Sequence, residues 1–137
     1  MAFKYSVPAM NSALDAIETA IGASAILKIR SGSAPSNCAA ADSGTVLATI
    51  NLPADWMAAA SAAVKAMQGT WQDASADAAG TAGHFRVYAT DGTTCHIQGT
   101  ITATGGGGDM TLDNTNIAAG QQISITSFTI SATGMTA

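Results

Sequence analysis

The chain has 137 residues, a formal net charge of −4 and only 10% charged residues, so it fits one domain, residues 1–137, with a real hydrophobic core. Its five basic residues are too few and too scattered to neutralise a phosphate backbone, which argues against nucleic-acid binding: Lys4, Lys28, Arg30, Lys65 and Arg86. No segment contains the eighteen or so consecutive apolar residues that a membrane span needs, and we predict no membrane association.

The first predicted element is a helix over about residues 6–21. Ser6 is a suitable cap, Pro8 falls in the first turn, and Gly22 can end the helix. The apolar stripe expected to face the domain consists of Met10, Leu14, Ile17 and Ile21. The side expected to face solvent holds Asn11, Asp15, Glu18 and Thr19. The pattern favours a helix that closes one end of the domain over a helix that binds a partner.

The same N-terminal segment has no continuous apolar core and does not resemble a signal peptide. Two cysteines, Cys38 and Cys95, without a secretion signal indicate reduced thiols in a protein made in a cytoplasm. A disulfide between them in an extracellular particle is the alternative, which the sequence leaves open because it does not give the geometry.

The next segments alternate between strands and loops. Ala25–Arg30 is a predicted strand with Leu27 and Ile29 inward and Lys28 and Arg30 outward. Ser31–Gly44 contains turn-forming residues and is predicted to be a long loop. Thr45–Leu52 is a predicted strand with one apolar face made of Val46, Ala48, Ile50 and Leu52.

Residues 53–72 have the alanine content of a helix, yet their end alternates like a strand. We predict a short turn near Trp56 and then a strand that ends near Gln72. Gln72–Gly83 is predicted to be a polar loop.

The C-terminal half is a series of short strand patterns. His84–Thr90 and Thr93–Thr102 flank an Asp91-Gly92 turn and predict a hairpin. Gly105–Gly108 is predicted to be a mobile hairpin turn that leads into a strand at residues 110–112. Gln122–Ala132 is the last predicted strand, with a bulge near Ser127. With strands from about residue 25 to 132, the predicted fold is mainly β: an antiparallel, jelly-roll-like β-sandwich of seven or eight strands with one N-terminal helix.

No catalytic, cofactor-binding or metal-binding residues are predicted, and we expect no enzymatic activity. His84, His96, Cys38 and Cys95 lack the spacing of a zinc site. The paired aspartates Asp73/Asp77 and Asp109/Asp113 match neither a carboxylate pair nor a calcium loop. The aromatic residues expected in a core or an interface are Trp56, Trp71, Phe85, Tyr88 and Phe128.

Three segments resemble a family of small proteins encoded in tailed-bacteriophage and prophage genomes. The N-terminal helix is followed by GASAILKIRSG, which has the form GA-x-A-x-L-x-I-x-SG. The centre contains GTAGHFR, and the C-terminal part has the form LDNT-x-I-x-x-GQ-x-x-x-x-x-SF. The matching segments keep their order over nearly the whole chain.

The resemblance implies a structural protein of the virion, on the capsid surface, and most closely a capsid decoration or cement protein. Its implied partners are the major capsid protein and further copies of the chain. The segments Ser31–Gly44, Gln72–Gly83 and Met1–Val7 are the expected contacts. The alternative is a tail- or fibre-associated module that binds a host receptor or glycan.

Overall fold

The structure is a computed structural model and describes residues 3–132. This part of the chain contains one helix and ten strands. In chain order they are α1 (Val7–Ile21), β1 (Ile26–Ser31), β2 (Val46–Asn51), β3 (Val64–Ala66), β4 (Trp71–Asp73), β5 (Gly80–Tyr88), β6 (Cys95–Ala103), β7 (Met110–Leu112), β8 (Asn116–Ile117), β9 (Ile123–Ile125) and β10 (Thr129–Ser131). Among residues 3–132 there is no helix with the length and apolarity to span a bilayer.

The helix has the ends that the sequence predicts. The Ser6 hydroxyl accepts a hydrogen bond from the amide of Ala9 at 3.3 Å, and Pro8 lies in the first turn. Gly22 ends the helix with a φ of 92°, and its amide donates to the Glu18 carbonyl at 2.9 Å. Only glycine adopts this φ without strain, so the helix ends there.

The faces of α1 differ from the prediction. Met10 and Leu14 are buried in one cluster and Ile21 in another, whereas Ile17 is 40% exposed. Of the residues expected to face solvent, Thr19 is exposed, whereas Asn11, Asp15 and Glu18 are only partly exposed and also bind the segment that leads into β3.

Polar side chains therefore attach the helix to the sheets. Oxygens of Asn11, Asp15 and Glu18 accept hydrogen bonds from main-chain amides of residues 63, 60 and 57, at 2.9, 2.9 and 3.3 Å respectively. The ammonium of Lys65, which is 1% exposed, lies 2.7 Å from both carboxylates and donates to the Ala58 carbonyl at 2.9 Å. Burial lowers the pKa of Lys65, but the hydrogen bonds to Asp15 and Glu18 outweigh it and the net shift is upward.

Five strands form a sheet in the order β2-β1-β5-β6-β7, and β8 pairs with the start of β5. Two small sheets, β3 with β10 and β4 with β9, complete the set in the described residues. The mainly β fold with an N-terminal helix is therefore confirmed. The sheets curl into a half-barrel and do not form a clearly closed sandwich or jelly roll.

The core lies on one face of the large sheet. Leu27 and Ile29 of β1 are fully buried opposite Val87 and Phe85 of β5, as the alternation predicts. Aromatic rings continue the core into the small sheets, with centroids 5.5 Å apart for Phe85 and Phe128, 5.6 Å for Phe128 and Trp71, and 6.0 Å for Trp71 and Trp56. All five aromatic residues predicted to be in a core or an interface are buried.

Strand β2 buries both Leu47 and Ala48, which simple alternation does not predict. The β1–β2 register shifts at this point, because Arg30 pairs with Val46 while Ile29 pairs with Ala48. Leu47 is the extra residue of this bulge, and a bulge changes the direction of its side chain.

The glycine-rich segment 105–108 does not form the hairpin turn that the sequence predicts. Strand β7 runs parallel to β6, with Ile101 opposite Met110. The chain must double back onto β6 within a few residues. Gly105 and Gly107 have φ values of 88° and 83°, and a Cβ at position 106 would lie 2.7 Å from Thr102. Glycine is needed here for a tight reversal.

Three other boundaries also differ. The expected turn near Trp56 leads into two short strands, β3 and β4, and not into one. Residues 80–83 belong to β5, so the loop expected over 72–83 is shorter. The last predicted strand is divided into β9 and β10, which pair with different partners, and the break includes Ser127, where the bulge was expected.

Replacement of Lys65 by alanine should lower the free energy of unfolding by roughly 1–3 kcal/mol, because it removes charged hydrogen bonds between α1 and β3. Lys4→Ala is the matched control, since it removes the same charge from an exposed position and should change stability by no more than about 0.5 kcal/mol. Urea unfolding followed by circular dichroism measures both. Equal stability of the two variants would contradict this role of Lys65.

Candidate functional site

The face of the large sheet opposite the core carries polar side chains and is covered by residues 32–45, which we call the latched loop. Register places Arg30 of β1 beside His84 of β5 and places Arg86 of β5 beside Gln98 of β6. Arg30 was expected to point outward to solvent. It does lie on the outer face, but the latched loop reduces its exposure to 6%.

Arg86 is the centre of this arrangement and is 2% exposed. Its Nη2 donates to the carbonyls of Asn37, Cys38 and Ala40 at 3.0, 3.0 and 3.2 Å, and its Nη1 donates to the carboxylate of Asp42. One guanidinium thus binds the loop at four residues between positions 37 and 42.

Three further side chains hold the ends and the middle of the loop. His84 Nδ1 lies 2.8 Å from the Gly32 carbonyl, and Gln98 Nε2 donates to the Pro35 carbonyl at 2.6 Å. Arg30 donates to Asp42 at 2.9 Å and to two more main-chain carbonyls at 3.4 Å. Because these donors come from three adjacent strands, the loop backbone is fixed along its length.

Asp42 is the only acidic residue of the latched loop. Its carboxylate accepts from Arg30, from Arg86 and from the Tyr88 hydroxyl at 2.6 Å. Partial burial acts to raise the pKa of Asp42, but the hydrogen bonds from Tyr88 and Arg86 and the two positive charges lower it overall. Burial and the same hydrogen bond raise the pKa of Tyr88 to about 12.

Close backbone contacts also hold the loop to the sheet. A Cβ at Gly83 would lie 2.2 Å from the Gly32 carbonyl oxygen, and one at Gly44 would lie 2.0 Å from the Ser31 carbonyl oxygen. Neither position tolerates a side chain without a backbone shift. The residues that the loop exposes are small and uncharged apart from Asp42, and include Ser33, Ser36 and Ala39.

The second exposed feature is the N-terminal arm, residues 3–6, which has no regular secondary structure. Phe3 is 87% exposed and Tyr5 is 43% exposed, and the first helical residue, Val7, is 41% exposed. The chain has seven aromatic residues, and the other five are at most 5% exposed. Both exposed aromatic side chains are therefore on this arm.

The two histidines and two cysteines considered as metal ligands from the sequence lie in different environments. His84 is fully buried and binds the loop, while His96 is exposed and is the extra residue of a bulge in β6. Cys38 and Cys95 are brought together, and both are free thiols. Within residues 3–132 no cluster of three or more His, Cys, Asp or Glu residues could hold a metal ion.

Three of the four aspartates that the sequence pattern pairs accept hydrogen bonds within the fold. Asp73 accepts from the Thr49 amide at 3.0 Å and Asp77 from the Thr49 hydroxyl at 2.7 Å. Asp109 accepts from the amide and hydroxyl of Thr100 at 2.9 and 3.0 Å. Asp113 alone lines a cleft, of about 270 Å³ between β7 and β9, whose other lining residues are uncharged.

The sequence predicts the loop itself, over Ser31–Gly44, but not its attachment to the sheet or the side chains that donate to it. The only signal was the presence of two arginines and a histidine on strands whose pattern indicates outward-facing side chains, beside a long loop with one aspartate. In a chain with so few charges, that coincidence was a usable clue.

Comparison of the chain with protein-family models, with curated proteins and with solved structures gave no match.

Replacement of Asp42 by asparagine should remove a part of the stability that depends on pH. The folded-state pKa of Asp42 is lowered, so its contribution is complete above the ordinary aspartate pKa of about 4 and is lost as the pH falls through the folded-state value. At pH 6 the variant should be less stable by about 1–2 kcal/mol, since the side chain is 38% exposed and solvent screens its ion pairs.

Urea unfolding at a series of pH values from about 6 down to 2.5 measures this effect. The difference between the wild type and Asp42→Asn should shrink as the pH falls. Asp113→Asn is the control, because this carboxylate does not contact the latched loop. A constant difference at every pH would contradict the assignment.

Proposed function

We propose that this chain is a structural protein of a tailed-bacteriophage particle, a decoration or cement subunit that binds the lattice of the major capsid protein and stabilises the head. It acts by binding and not by catalysis, and its partners are the coat protein and further copies of itself. Such a subunit binds the assembled shell and not the free coat protein, so it stabilises the shell by mass action.

The exposed aromatic arm carries this proposal. Aromatic side chains dominate the energetics of protein interfaces, and a chain that buries all its other aromatic residues exposes Phe3 and Tyr5 on one short segment. An arm of this kind can be buried against a neighbouring subunit while the domain keeps its own core. Of the segment expected to reach a neighbour, Met1 and Ala2 lie outside the described residues.

The latched loop is the second support. Its backbone is already ordered by seven main-chain carbonyls that accept hydrogen bonds from the sheet, those of Gly32, Pro35, Asn37, Cys38, Ala40, Ser43 and Gly44. Binding through such a loop costs little ordering entropy. Its small, mostly uncharged exposed residues suit close contact with another protein surface.

The family resemblance agrees with these observations. The segment GTAGHFR lies in β5 and supplies Gly83, His84 and Arg86, which bring the latched loop onto the sheet. The resemblance therefore includes residues that hold the latched loop in place from beneath. The jelly-roll-like sandwich that the sequence predicts belongs to the same proposal, because jelly rolls are frequent in viral shells.

The arm can be tested with the double variant Phe3→Ser/Tyr5→Ser and with heads purified from particles that lack the chain. The wild type should co-sediment with these heads and raise the temperature at which they burst. The double variant should keep its fold but bind at least about tenfold more weakly, since truncation of an aromatic anchor in an interface costs more than about 1 kcal/mol.

Ile17→Ser is the matched control, because it removes an exposed apolar side chain from α1 and leaves the arm intact. It should bind heads like the wild type. Equal binding by the double variant would contradict the role of the arm, and absence of the chain from purified virions would contradict the whole proposal. Immunogold labelling at the tail instead of the head would favour the tail-associated alternative.

A further inference from the structure

Cys38 and Cys95 are 57 positions apart in sequence but meet on the outer face of the large sheet. Cys95 begins β6 and lies opposite Tyr88 of β5. Arg86, two residues before Tyr88, binds the main-chain carbonyl of Cys38 at 3.0 Å. The latched loop therefore places Cys38 above the β5–β6 pair.

Contacts on both sides of Cys38 fix this position. Gln98 of β6 binds the Pro35 carbonyl at 2.6 Å, three residues before Cys38, and Tyr88 binds Asp42 at 2.6 Å, four residues after it. The Cys95 thiol donates to the Ile97 carbonyl at 3.4 Å, and the Cys38 side chain is close enough to contribute to the raised pKa of Cys95. Both are free and both are partly exposed, so a small reagent can reach them.

We infer that Cys38 and Cys95 are a redox modification site, at which a disulfide bond forms under oxidising conditions and joins the latched loop covalently to β6. The oxidant is a low-molecular-weight disulfide such as oxidised glutathione. The thiolate of one cysteine attacks it to give a mixed disulfide and releases one reduced glutathione. The second cysteine then attacks the protein sulfur of the mixed disulfide and releases the other glutathione, so two thiols are oxidised and one small disulfide is reduced.

The bond would change the loop more than it changes the fold. In the reduced protein, the loop is held by noncovalent contacts, which include hydrogen bonds and the ion pairs of Asp42. In the oxidised protein, a crosslink across a long stretch of chain restricts the unfolded state and stabilises the folded one. Burial raises the pKa of Cys95 to about 12, with a further contribution from its contact with Cys38. Because the thiolate is the reactive form, oxidation should become faster as the pH rises.

The test equilibrates the native, full-length protein with oxidised glutathione and then with dithiothreitol. We expect thiol titration to fall from two thiols per chain to none, and peptide mapping to find one Cys38–Cys95 crosslink in the monomer. The melting temperature should rise by roughly 6–15 °C and return on reduction. Hydrogen exchange of residues 37–42 should slow on oxidation.

Cys38→Ser and Cys95→Ser are the matched single variants, and each should lose the dependence of its melting temperature on oxidation. Two free thiols that persist in the oxidised wild type would overturn the inference. So would glutathione bound separately to each cysteine, or crosslinks only between chains. Because the mapping uses the wild type, these outcomes can be read even if a serine variant folds poorly.

Discussion

The burial of the Arg86 guanidinium determines how the outer face of this protein is built. A charge that is 2% exposed must find partners, because an unpaired buried ion is very costly. Its hydrogen-bond partners all come from residues 32–45, as three carbonyls and one carboxylate. The hydrogen bonds of its two terminal nitrogens thus fix the course of a whole loop.

Most of the few charged side chains of this protein form hydrogen bonds within the fold. Eight of the nine acidic side chains accept hydrogen bonds from their own chain, namely Asp15, Glu18, Asp42, Asp55, Asp73, Asp77, Asp91 and Asp109. Four of the five basic side chains, Lys28, Arg30, Lys65 and Arg86, also donate within the fold. These charges hold the helix, turns and loops in place within the fold.

The molecule has two different exposed features, the latched loop and the N-terminal arm. The latched loop presents a preformed surface of small residues, whereas the N-terminal arm presents two aromatic side chains that the domain itself does not bury. For a subunit proposed to join a lattice, the loop supplies shape and the arm supplies apolar area. The cysteine pair lies where a covalent bond would strengthen the loop without disturbing the core.

Local patterns were sufficient to predict the mainly β class, the N-terminal helix and much of the core. Capping by Ser6 and Gly22 defined the ends of the helix, and alternation in β1 predicted the burial of Leu27 and Ile29. The Asp91-Gly92 turn predicted the hairpin, because each of these signals arises within a few residues. The parity shift near Ser127 predicted a bulge in one strand, where the chain instead divides into two strands. The parallel course of β7, the ion pairs of Lys65 with Asp15 and Glu18, and the proximity of Cys38 to Cys95 emerge only from the folded chain. Periodicity reports which side of an element is apolar, but it does not report which distant polar group lies opposite. Those partners are set by how the chain folds back on itself, because ion pairs and hydrogen bonds join residues that are remote in sequence.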